Sequence, residues 1–144
     1  MLFSSDMIEV MSVCNDKWNH LSLIKTGVPG TLLKSIITSL PEQKLVVCRA
    51  LKISPKKLPR LYMKPLLNSR QSERILDILG VYSKISERYD DTKLIQKLLG
   101  TSLPELNNGK LSDYFDTYIE RTIAKEIINK MEFRKFTLIN LRSG

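Results

Sequence analysis

The chain has 144 residues, of which 42% are hydrophobic and 26% charged, and its formal net charge is +8 at neutral pH. This composition is typical of a soluble globular protein, and the apolar runs are too short to span a membrane. The acidic start argues against a secretory signal. The sequence has one histidine, His20, and no P-loop or nucleophile motif, so it offers few candidate catalytic residues. We therefore expect a cytoplasmic protein that is not an enzyme and that holds no metal or cofactor.

Most of the positive charge lies in one part of the sequence. From Lys17 to Arg70 there are eleven basic residues and one acidic residue, Glu42, whereas residues 71–144 have twelve basic and eleven acidic residues. Charge concentrated in this way is typical of a surface that binds a polyanion. We therefore predict DNA as a partner, and a solvated positive face without a ligand is the simpler alternative.

Apolar residues at helical spacing, separated by Gly and Pro, predict short helices in the first half of the chain. Residues 1–24 indicate one or two helices with an apolar stripe that runs from Met7 to Trp18. A helix from Thr31 to Leu40 and another from Glu42 to Leu51 follow. Cys14 and Cys48 are expected to pack as small hydrophobic residues rather than to form a disulfide.

The residues after Leu51 predict a helix-turn-helix. Lys52-Ile53-Ser54 is a short connection, and Ser54 before Pro55 is typical of an N-cap followed by the first residue of a helix. Two short helices joined by about three residues have the helix-turn-helix arrangement. The residues predicted to contact DNA are Lys52, Ser54, Lys56, Lys57, Arg60 and Lys64.

Pro59 affects how this segment could read DNA. In a helix that begins at Pro55, Pro59 removes a backbone donor from the interior, whereas a helix that begins later has Pro59 in its first turn but is short. Both arrangements weaken base readout, which needs a helix in the major groove, and both keep the lysines available for phosphates.

The second half of the chain predicts three more helices. A helix from Ser69 to about Glu87 follows a capping-box sequence, and a shorter helix is expected to end at Gly100 in a left-handed conformation. Residues 101–110 indicate a loop with a turn. From Leu111 to Met131 the apolar spacing predicts one long amphipathic helix, mostly core, with part of its face wide enough to contact a partner.

The last residues, Phe133 to Gly144, are compatible with a strand, an ordered arm or a disordered end, and they are candidates for binding a partner. They combine apolar and basic side chains, and an arm of this kind can become ordered as it enters a partner's cleft. The residues predicted to bind a partner in this way are Phe133, Arg134, Lys135, Phe136, Leu138 and Leu141.

Three stretches occur in an order that is typical of a known family. Residues 52–60 look like the family's turn and the start of its recognition helix, and residues 67–74 match its pattern of a leucine, a serine, an acid and an arginine. Residues 98–110 are similar to its proline-containing loop and turn before a final helix. On these stretches the chain resembles the Xre/MbcA/ParS family of antitoxins, whose partner toxins carry a RES domain.

The resemblance implies an all-α fold, with an Xre-like helix-turn-helix module in residues 1–66 and a small helical toxin-binding domain in residues 67–144. It implies a homodimeric antitoxin of a type II pair that masks a RES-type toxin and represses its own operon on operator DNA. Such toxins consume NAD or transfer ADP-ribose, so NAD would concern the partner. The arm would then enter the active site of the toxin.

The resemblance also gives a reading of Ser72, Glu73 and Arg74. Their recurrence in the family pattern suggests a structural link between the two regions, and a surface charge pair is the simpler alternative, worth under about 1 kcal/mol. Two other functions stay open on the residues alone. One is a stand-alone DNA-binding regulator without a toxin, and the other is a helical adaptor whose positive face meets an acidic protein.

Overall fold

The fold is all-α in the part of the chain that the computed structural model describes, residues 3–89 and 91–131. A two-stranded hairpin, β1 (Ser102–Leu103) with β2 (Gly109–Lys110), is the one extended element among these residues. The helices are α1 (Ser5–Val13), α2 (Lys17–Thr26), α3 (Gly30–Ser39), α4 (Lys44–Leu51), α5 (Leu58–Tyr62), α6 (Ser69–Ser86), α7 (Thr92–Leu99) and α8 (Tyr118–Lys130).

Helix α6 lies at the centre of the fold. It packs against α1, α2 and α4 from the first half of the chain and against α7 and α8 from the second half. Its start is the predicted capping box, in which Asn68 and Gln71 each bond the other's backbone N–H. Its apolar stripe is buried, and the rings of Tyr82 and Phe115 meet with centroids 5.6 Å apart. The two predicted regions therefore share one core.

The predicted helix from Thr31 to Leu40 is confirmed as α3, whose inner face is buried. The prediction that the apolar stripe extends to Trp18 is wrong, because the Trp18 side chain is 78% exposed. Asp16 accepts a hydrogen bond from the Trp18 amide at 2.9 Å and begins a new helix. The break between α1 and α2 resets the helical phase, so the stripe of α1 does not continue.

The prediction of a single helix from Leu111 to Met131 is wrong in its first part. Residues 111–113 form a 3₁₀ turn, and α8 begins at Tyr118, where the Thr117 hydroxyl accepts a hydrogen bond from the Glu120 amide at 3.1 Å. Phe115 is buried although it precedes the helix. The apolar residues at helical spacing therefore belong to two elements, a buried turn and a helix with its own N-cap.

Gly100 also differs from its expectation, since its φ is −96° and not left-handed. Thr101 takes the role of the cap: its hydroxyl donates to the Lys97 carbonyl at 2.5 Å, and its amide donates to the Leu98 carbonyl. The left-handed residues of this loop are instead Asn107 and Asn108, in the turn between β1 and β2, and asparagine tolerates that conformation. The loop predicted for residues 101–110 thus contains a short hairpin.

Within the described ranges, no helix has both the length and the apolar character that crossing a membrane requires.

Candidate nucleic-acid interface

The predicted helix-turn-helix segment consists of α4, a turn and the short helix α5. Lys52 ends α4 in the left-handed conformation, with φ 57° and ψ 46°. Ser54 caps the next turn, because its hydroxyl accepts a hydrogen bond from the Lys56 amide at 3.3 Å. A 3₁₀ turn over Pro55–Lys57 then leads into α5.

Pro59 lies in the first turn of α5, where no intrahelical donor is required. Of the two arrangements that the sequence allowed, the later and shorter helix is the one that forms. Only five residues make up α5, so little helix is available to lie along a groove. The lysines of the preceding turn are unaffected by this shortening.

One face of α5 is buried, and its exposed side carries Arg60. Leu58 and Leu61 are 1% and 6% exposed and anchor the helix on the core. The six residues predicted to contact DNA are all exposed, and none forms an ion pair with a carboxylate of the described residues. They are Lys52, Ser54, Lys56, Lys57, Arg60 and Lys64. Four lysines and one arginine on a single segment can therefore neutralise several phosphates.

Arg49 belongs to the same basic block, but its side chain is hydrogen-bonded within the protein. Its Nε donates to Asp116 Oδ1 at 2.5 Å, and its Nη2 donates to the Ser112 carbonyl at 2.7 Å. These contacts tie α4 to the segment that precedes α8. Arg49 thus joins the two predicted regions, a role that the sequence reasoning missed.

Of the three predicted link residues, Ser72 makes the internal contacts. Its hydroxyl is fully buried, accepts a hydrogen bond from the Val28 amide at 3.0 Å and donates to the Leu67 carbonyl at 3.4 Å. Glu73 is exposed and Arg74 is half-buried, and neither has an ion-pair partner among the described residues. Ser72 therefore fixes the chain that enters α3 against the start of α6.

The strongest polar cluster lies one turn further along α6 and was also missed. Asp77 Oδ2 accepts a hydrogen bond from Arg121 Nε at 2.5 Å, and Asp77 Oδ1 accepts one from Lys125 Nζ at 2.6 Å. Arg121 Nη1 also donates to the Phe115 carbonyl at 2.7 Å. A single acid inside the apolar run of α6 was the one sequence feature that could have indicated this cluster.

Two cysteines and a tyrosine in the described part of the chain have pKa values raised by burial. Cys14 and Cys48 are free thiols, and burial raises the pKa of both above its usual value, so neither is a ready thiolate. Burial also raises the pKa of Tyr82, whose hydroxyl donates to Gln43 Oε1 at 3.1 Å. The described residues contain no cluster of three or more potential metal ligands.

The residues predicted to bind a toxin lie outside the described ones. They are Phe133, Arg134, Lys135, Phe136, Leu138 and Leu141. In the described part, the exposed apolar side chains on α8 are Tyr118 and Ile119, which are 63% and 66% exposed.

Comparison of the chain with models of known protein families finds no match, and comparison with curated protein sequences finds none either.

Proposed function

We propose that this chain is a non-enzymatic, cytoplasmic antitoxin that masks a RES-type toxin and represses its own operon by binding DNA. The observation that supports DNA binding is the exposed basic segment from Lys52 to Lys64, whose cations have no carboxylate partner in the described residues. The resemblance of three ordered stretches to Xre/MbcA/ParS antitoxins supports toxin binding. The two parts of the proposal are tested separately.

The short helix α5 determines what kind of DNA binding we expect. Phosphate contacts need only exposed cations, whereas base contacts need a helix that reaches the floor of the major groove. With five residues in α5, phosphates should supply most of the affinity. If about six phosphates are neutralised, log K should fall with log salt at a slope of about −5. The preference for operator over unrelated DNA should then be modest.

Replacing Lys56 and Lys57 together with alanine should weaken DNA binding and reduce the magnitude of the salt slope by about 2 per bound protomer, because two phosphate contacts are lost. Fluorescence anisotropy with a labelled duplex over a salt series measures both quantities. The matched control replaces Lys34 and Lys44, which are exposed cations of the same basic block outside the predicted contact set. Equal losses in the two variants would mean that only net charge matters.

The proposed toxin binding predicts that the neighbouring gene product stops growth and depletes NAD, and that this chain reverses both effects in a complex that co-purifies. Deleting residues 133–144 should leave the far-ultraviolet circular dichroism of the chain helical but abolish neutralisation. The control is the variant with Lys56 and Lys57 replaced, which should neutralise normally. Full neutralisation by the truncated chain would rule out the arm as the binding element.

A stand-alone DNA-binding regulator is the second candidate, since the exposed segment from Lys52 to Lys64 supports DNA binding without reference to a toxin. A harmless neighbouring gene product that does not co-purify, together with a steep salt dependence on DNA, would favour it. Absence of DNA binding together with growth rescue would leave a dedicated toxin inhibitor. Each result selects one candidate.

A further inference from the structure

A cavity of about 380 Å³ opens where the turn after α4, the start of α6 and the start of α8 come together. Four cationic side chains line it: Lys52, Arg70, Arg74 and Arg121. Arg70 and Arg74 are four residues apart on α6 and so lie on the same face of that helix. Cations from three different elements therefore converge on one space.

Three of these cations have no ion-pair partner in the described part of the chain. Lys52, Arg70 and Arg74 form no ion pair with a carboxylate of the described residues. Like charges brought together in this way repel each other unless an anion lies between them. The cavity is thus a place where an anion would lower the electrostatic free energy.

The burial and hydrogen bonds of Arg121 support the same conclusion. Its side chain is 5% exposed, and its Nε and Nη1 donate to Asp77 and to the Phe115 carbonyl. Its Nη2 has no hydrogen-bond partner among the described residues, yet no fully buried side-chain atom there lacks a partner. Nη2 must therefore reach accessible space, and Arg121 lines both this cavity and the neighbouring one beside Leu21 and Ile24. A nearly buried guanidinium whose Nη2 has no acceptor among the described residues is suited to an oxyanion.

Two acids also line the cavity, and with four cations against them the lining keeps a net positive charge. The two lining acids are Asp116, which is already paired with Arg49 at 2.5 Å, and Glu73. Thr117 and Tyr118 place the start of α8 at the cavity, and the amides of Tyr118 and Ile119 have no acceptor among the described residues. The partial positive charge of this helix terminus adds to that of the side chains.

We propose that this cavity is a phosphate-binding pocket that takes the phosphate group of a nucleotide. The exposed ring of Tyr118 lies at its edge and also lines a neighbouring cavity with Leu21 and Ile24, which gives a base an apolar surface to stack on. Lys52 belongs to the turn of the helix-turn-helix, so the nucleotide is either free or part of a DNA strand. This inference goes beyond the proposed antitoxin function and does not require a toxin.

The first test is isothermal titration calorimetry with inorganic phosphate and with the four nucleoside 5′-monophosphates. Replacing Arg70 and Arg74 with alanine should weaken binding by about tenfold or more, since a hydrogen bond to a charged group is worth roughly that factor. The control replaces Lys25 and Lys34, which carry the same charge and lie outside the cavity. Neither arginine forms an ion pair with a described residue, so the variant should keep the wild-type Tm without ligand.

A second variant, Tyr118→Ala, separates the base from the phosphate. It should weaken nucleotide binding by about fivefold or more and leave inorganic phosphate binding unchanged. If free phosphate and nucleotides do not bind, the same variants are measured on duplex DNA. A loss confined to the arginine pair and Tyr118 then assigns the phosphate to DNA. If the arginine pair and the lysine control respond equally to every probe, the pocket is overturned.

Discussion

Replacing Asp77 with alanine is expected to destabilise the fold by about 3–5 kcal/mol, because it leaves a buried arginine without its counterion. Arg121 is 4% exposed, and its Nε contacts the carboxylate oxygen Oδ2 of Asp77 at 2.5 Å. Lys125, the second cation on Asp77, would lose its partner as well. For a chain of this length such a loss lowers Tm by about 10 °C or more, which differential scanning calorimetry measures.

The double variant Asp77→Leu with Arg121→Met tests the cause of this loss. If the stranded charge is responsible, the double variant should recover much of the stability, since an apolar pair of similar volume can replace a buried ion pair. Recovery should be incomplete, because the Phe115 carbonyl loses the donor that Arg121 provides at 2.7 Å. A double variant as unstable as Asp77→Ala would contradict the argument and would point to packing instead.

Gly30→Ala is expected to destabilise the protein by about 3 kcal/mol or more, because the new methyl group has no room. A Cβ at this position would collide with the carbonyl oxygen of Leu61 and would lie 2.9 Å from that of Lys64. Both are backbone atoms, and the Gly30 amide donates to the Lys64 carbonyl at 3.0 Å. Relief of the collision therefore requires moving the end of α5 away from α3.

Gly100→Ala is the matched control for this prediction. A Cβ there would meet the Gln96 carbonyl at an ordinary 3.5 Å, and the φ of −96° is open to any residue. We expect a change within about 1 kcal/mol, with any gain due to a less flexible unfolded chain. Urea unfolding followed by circular dichroism compares the two variants. Similar losses in both would show that steric contact at Gly30 is not the cause.

The local structure was predictable wherever a few neighbouring residues decide it. Asn68 with Gln71, and Ser54 before Pro55, were predicted as helix starts, and both form caps. These interactions span two or three residues, so their geometry depends on the local sequence more than on tertiary contacts. The basic segment from Lys52 to Lys64 was predictable for a similar reason, because the charge of a segment follows directly from its sequence.

The prediction failed where one pattern has two structural origins. The spacing from Leu111 to Met131 fits a single helix, but residues 111–117 bury Leu111 and Phe115 from a turn and irregular backbone. Trp18 fits the stripe of α1 but belongs to the next helix, which Asp16 begins. In both cases a cap inside the pattern, Thr117 or Asp16, competes with apolar periodicity, and the sequence alone does not say which prevails.

Local sequence patterns were enough to predict a helical chain, the start of several helices and one strongly basic segment. Which of the charges remain available depended instead on how the helices pack. Arg49 pairs with Asp116, which is 67 residues away in the sequence, and Arg121 pairs with Asp77, which is 44 residues away. Lys52, Arg70 and Arg74 come to line one cavity. The reason is physical: caps and periodicity act over three or four residues, whereas charge pairing depends on how distant helices pack.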